Sequence, residues 1–174
     1  MAGFREQLSD PDLVRFYDYW TTLRGQRAMP SRRDIDPLQI PPGYLPDIML
    51  IEVSHQPRRY RYRLVGTHVV TASGEDRTGR SFEDVSFFKT NTAVMQQQFE
   101  QVVNTAEPLF SLEPFTNFIT GRKYDVDRIM LPLSSDGRLV DMVLVLFLFK
   151  SGPFARRLAT PQSLRTPARA LPAA

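Results

Sequence analysis

His55 and His68 are the only histidines in the 174-residue chain, and it has no cysteine at all. A metal centre needs converging His, Cys or carboxylate ligands, and two histidines in separate segments offer little to build one on. His55 falls in a turn beside Pro57 and reads as a solvated loop histidine. His68 follows Gly66-Thr67 where a helical stretch begins, and it either starts that helix at the surface or faces a pocket. Without a placed imidazole base, nucleophile triads have no support, and no G-x-G-x-x-G, P-loop or G-x-S-x-G pattern occurs. The missing cysteine excludes disulfides, thiolate zinc sites, cysteine nucleophiles and cysteine-linked chromophores. Asp125 and Asp127, two apart in a strand, share a face and could form an acid/base pair. Their neighbours Arg122, Lys123 and Arg128 favour a solvated, charge-paired strand start. Asp34 and Asp36, beside Arg32 and Arg33, read as turn caps that pin a connector. No catalytic constellation results, and the expectation is a protein that is not an enzyme.

A binding pocket is the stronger prospect. Tyr60, Tyr62 and Leu64 alternate with Arg61 and Arg63, so the first three are expected on the inward face of a strand. Phe87, Phe88, Phe99 and Phe110, with His68, are the candidates to close an aromatic cavity over them. A packed core with no cavity accounts for the same residues.

The elements that position these residues follow from periodicity. Leu13, Phe16, Tyr17, Trp20 and Leu23 form one apolar stripe on a helix capped by Ser9 or Asp10, with Pro11 in its first turn and Gly25 at its end. Prolines at 30, 37, 41, 42 and 46 forbid a long helix or central strand, so that segment is a surface connector. Strands are expected at 47–53 and 59–66, joined around Pro57, and then short helical pieces up to Ser86, punctuated by Gly74 and Gly79. A helix follows at 90–104 with Val94, Met95, Phe99, Val102 and Val103 buried and Gln96 to Gln98 in solvent. Three more strands, 109–119, 124–133 and 139–149, complete the order, the last pair joined through Asp136-Gly137. The expected fold is α+β: a five-stranded antiparallel sheet with a helical middle and an N-terminal amphipathic helix. Both faces of the last strand are apolar. The helical stripe is the cover for the second face, from its own chain or a partner's, which makes Leu13, Phe16, Tyr17, Trp20 and Leu23 the candidate homodimer interface.

The charge does not point to nucleic acid. The formal charge is +3, yet residues 151–174 hold four arginines and no acid, leaving 18 basic against 19 acidic residues in 1–150. The division expected is an N-terminal extension (1–9), one domain (10–150) and a disordered basic Pro/Ala/Arg tail (151–174). No signal peptide or membrane-spanning run is found, so a cytoplasmic protein is expected.

This order of elements resembles the PAS domain, and in particular a bacterial PAS family of short alphaproteobacterial chains. The residues that carry the likeness are Tyr19-Trp20 and Leu23-Arg24-Gly25, then Pro30, Arg32 or Arg33, and Asp34-Ile35-Asp36-Pro37. Leu45-Pro46, Arg61-Tyr62-Arg63-Leu64-Val65-Gly66-Thr67, Gly74, Thr78-Gly79-Arg80 and Phe82 to Val85 follow. The resemblance spans about residues 13–150 and implies a sensory or adaptor module for signal transduction, with a small pocket between sheet and helical middle. It would stand alone, signalling through association with a partner protein or a second copy. Adduct photochemistry of flavin-binding PAS relatives needs a cysteine, and heme would need an axial histidine on the 90–104 helix; neither residue is there, so the cofactor is unknown. Two other readings stay open: a small-molecule enzyme with a cone-shaped cavity, and a basic-tailed nucleic-acid adaptor.

Overall fold

A computed structural model of the protein describes residues 2–40, 43–85, 92–117 and 119–155. Its helices are α1 (Ala2–Arg5), α2 (Pro11–Arg24), α3 (Thr67–Ser73) and α4 (Thr92–Thr105). The strands are β1 (Ile48–His55), β2 (Arg58–Val65), β3 (Leu109–Ser111), β4 (Phe115–Thr116), β5 (Lys123–Tyr124), β6 (Val126–Leu133) and β7 (Met142–Phe149). Five of them form an antiparallel sheet in the order β2-β1-β7-β6-β3, while β4 and β5 make a separate ribbon. The expected α+β fold is therefore present.

Helix α2 starts where its caps dictate. The Asp10 carboxylate accepts the Asp12 N–H at 2.9 Å, Pro11 opens the first turn, and the Gly25 N–H closes on the Thr21 carbonyl. Its stripe lies on its own chain's sheet. Leu13, Phe16, Tyr17 and Trp20 are buried, Leu23 packs beside them, and the Trp20 indole donates to the Pro132 carbonyl at 3.0 Å. These five residues are thus core of the single chain, not a free face awaiting a second copy. The extension before them docks too: Phe4 meets Tyr17 at 5.1 Å, and Arg5 pairs with Asp18.

The two sheet faces are covered by different helices. Lys150 joins Asp10, the cap of α2, to Asp127 on β6. The next residue, Arg128, points the opposite way and meets Gln98 of α4. Ile48, Leu50, Leu144, Leu146, Leu131 and Ile129 share the α2 side by register, and Ile51, Val53, Val143, Val145 and Phe147 the α4 side. Connector residues 30–40 and 43–47 wrap the α2 side, held by a capping box between Ser31 and Asp34 and by an Arg27–Asp34 ion pair of 2.8 Å.

Three strand expectations change. The 109–119 run breaks into β3 and β4, since Pro114 has no N–H for a ladder. The last strand begins at Met142, because Asp136 Oδ1 ties Arg138 and Leu139 into the turn. A bulge in β2 matters most: Leu50 faces Leu64 and Ile51 faces Tyr62, so Arg63 has no partner and the alternation reverses there. On β2's outer side, Gly79 and Arg80 bond to the Tyr62 backbone, so the sheet edge is partly closed.

Candidate functional site

Of the expected pocket residues, the fold gathers Tyr60, Tyr62 and Phe99 on the α4 side. They close around Phe82, with ring centroids 4.8 to 5.4 Å from Phe82. That ring, on the short turn Phe82–Asp84, carries part of the family likeness in the sequence but is not among the expected pocket residues, and it packs in the middle of three of them. Burial, opposed by the nearby Arg77 guanidinium, pushes the Tyr62 phenol up to about 12.

The other members lie elsewhere. Leu64, sent across by the bulge, is 39% exposed on the α2 side, against Ile35, Pro37 and Ile40 of the connector. Phe110 pairs with Ile129, also on the α2 side, and lies near Phe4. His68 is engaged elsewhere: Nδ1 lies 2.8 Å from buried Asp47 Oδ1, and the ring stacks on Phe154 at 4.7 Å. Phe87 and Phe88 fall outside the described residues. So does the tail beyond residue 155, although Phe154, expected to be disordered, packs against His68 and Phe149.

A different site emerges where β6, β3 and α4 meet. Arg128, expected at a solvated strand end, is 1% exposed. Its parity in β6 aims it at α4, opposite Phe147 of β7 and Ser111 of β3. Nη2 donates to Gln98 Oε1 at 3.1 Å and to Ser111 Oγ at 3.2 Å, and the guanidinium carbon lies 5.9 Å from the Phe147 ring. Gln98 is therefore turned inward, not into solvent, and its Nε2 also donates to Ser111. Among the described residues the buried Nε has no hydrogen-bond partner. Burial lowers this guanidinium to about 10, while the charge of Glu113 opposes the fall. Asp127 pairs with Lys150 at 3.2 Å on the other face, so it is not the counter-ion of Arg128.

Beside Arg128 opens a cavity of about 380 Å³. Val94, Met95, Pro114 and Phe115 supply apolar walls, and Thr116, Lys123 and Glu113 the polar remainder. Val94, expected in the buried stripe, is half-exposed there. Asn117 holds the β4–β5 ribbon over the site: its Oδ1 accepts the Ile119 and Thr120 N–H groups, and its Nδ2 donates to the Ala72 carbonyl of α3. The one signal in the sequence was parity, since Arg128 shares the phase of Val126 and Met130 in a strand otherwise apolar on that side.

Among the described residues, no group of three His, Asp or Glu side chains could hold a metal ion, and no helix is long and apolar enough to cross a membrane. The complete absence of cysteine leaves no residue to form a cysteinyl flavin adduct.

No curated protein matches the chain by sequence. Among solved structures, a LOV protein of Rhodobacter sphaeroides aligns at 10% identity with a TM-score of 0.46, covering 59% of this chain and 57% of that one. A fungal LOV domain photoreceptor aligns at 14% identity with a TM-score of 0.42, covering 67% of this chain and 84% of the other. The model of the family described as the PAS domain matches residues 8–147. With that match spanning most of its length, the chain belongs to the PAS domain family.

Proposed function

We propose that this PAS domain senses a small molecule taken into the cavity beside Arg128 and relays its presence through protein association. The observation that carries the reading is that cavity: about 380 Å³, lined by four apolar side chains (Val94, Met95, Pro114, Phe115) and four polar or charged ones, among them the fully buried Arg128. Its volume falls within the roughly 300 to 1,000 Å³ of ligand sites. Helix α4 borders the cavity through Val94 and Met95 and reaches Arg128 through Gln98, so occupancy bears directly on that helix. The reading sets the protein in the cytoplasm as a signalling component and assigns it no catalytic residue. A partner protein or a second copy reads the change.

Native mass spectrometry of the purified protein, with an absorbance spectrum, tests this. The expected result is a non-covalent adduct lost on denaturation, with light scattering that changes when the adduct is removed. A protein that carries no adduct, and whose α4 and β6 amide resonances stay still on addition of a small-metabolite extract, would overturn it.

A further inference from the structure

Resting on that reading of the cavity, we propose that its occupant is a small organic monocarboxylate. Its carboxylate pairs with Arg128, and its hydrocarbon lies between Met95 and Phe115. A buried guanidinium is stable company for a counter-ion and costly without one. Among the described residues the hydrogen-bond partners of Arg128 are the neutral Gln98 and Ser111, both on Nη2, and Nε has none. No described carboxylate forms an ion pair with Arg128, and the undescribed stretches 86–91 and 156–174 contain no Asp or Glu. Glu113, on the wall of the same cavity, favours the charged guanidinium without forming an ion pair with it, so a bound carboxylate supplies the close counter-charge.

The lining restricts what brings it. Arg128 and Lys123 set against Glu113 leave one net positive charge, which matches a monoanion; a phosphate dianion would leave excess negative charge beside Glu113. Val94, Met95, Pro114 and Phe115 offer nothing to a hydrated inorganic anion but can hold an alkyl or aryl group.

The test is an NMR and calorimetric titration at constant ionic strength with hexanoate, hexanamide and inorganic phosphate as probes. Hexanoate should move α4 and β6 amides saturably, hexanamide should bind about tenfold more weakly or worse, and phosphate should show no saturable binding. Arg128→Gln should weaken hexanoate by about tenfold or more, and Lys123→Gln, at an exposed position, by about threefold. Should Arg128→Gln not fold, unchanged hexanoate affinity in Lys123→Gln overturns the proposal on its own. Equal binding of hexanamide, or saturable phosphate binding, overturns the carboxylate and leaves the ligand cavity standing. Silence from all three probes also overturns it, and the adduct seen or not seen by native mass spectrometry then decides the sensing reading separately.

Discussion

Replacing Trp20 asks whether α2 belongs to its own chain's sheet. The indole is 1% exposed, stacks on Tyr17 at 5.9 Å, lies under the Arg24 guanidinium at 5.4 Å and donates to the Pro132 carbonyl. Truncation to alanine removes the ring and leaves a cavity, at a cost of about 3 to 5 kcal/mol. Loss of the hydrogen bond adds about 1 kcal/mol. For a domain of this size, about 2 to 4 °C per kcal/mol puts the fall in Tm at roughly 10 to 20 °C. Trp20→Phe keeps most of the packing and should lose about 1 to 3 kcal/mol, chiefly from the stranded carbonyl. Urea denaturation should be followed by circular dichroism, because Trp20 is the only tryptophan and its removal abolishes the fluorescence signal. A loss under about 1 kcal/mol in the alanine variant would refute the seating of α2. So would a wild-type midpoint that rises with protein concentration while the variant's does not, since that pattern belongs to a stripe buried between two copies.

Other perturbations probe separate points. A Cβ at Gly66 would stand 2.3 Å from the Pro46 carbonyl oxygen, where only backbone could yield, so Gly66→Ala should cost about 3 kcal/mol in urea denaturation; a neutral result would mean that the 45–47 turn does not press on α3. Asp10→Ala should cost about 1 to 2 kcal/mol, whereas Asp10→Asn, which keeps the cap and loses only the Lys150 pair, should cost about half as much or less. Equal losses in the two variants would show that capping is not what Asp10 contributes. The Tyr62 phenol titrates higher in the folded protein, at about 12, so its contribution is intact below the unfolded value near 10 and is lost as pH rises between the two. That alkaline decline amounts to about 2 to 3 kcal/mol. Tyr62→Phe should flatten it, and superimposable pH–stability curves for the two proteins would contradict the assignment.

The parts legible in the sequence are those with local causes. Helix α2 announces itself through Asp10, Pro11 and its stripe, and the covered second face of β7 follows from apolar residues on both sides. The succession of strands along the chain could be read for the same reason, since each turn carries its own chemistry. What escaped depends on pairing partners. One unpaired residue, Arg63, reverses the phase of β2 and carries Leu64 away from Tyr62, and nothing in the local pattern marks it. The acidic and basic neighbours of Arg128 suggest a wet strand end, but its phase with Val126 and Met130 decides its direction. Phe110 enters the expected pocket by residue type alone. Its register with Ile129 puts it across the sheet.

The strand order bears on how the chain acquires its fold. β1 lies between β2 and β7, so the first strand of the sheet is completed by the last, and Trp20 must wait for an acceptor 112 residues downstream. A growing chain therefore carries the α2 stripe and one flank of the β1–β2 hairpin uncovered until β6 and β7 have been made. Such long-range closure slows folding and lengthens exposure to aggregation. A chain cut short before residue 142 would lose the middle of its sheet, with the edge strand β2 left paired to a strand that has no second neighbour.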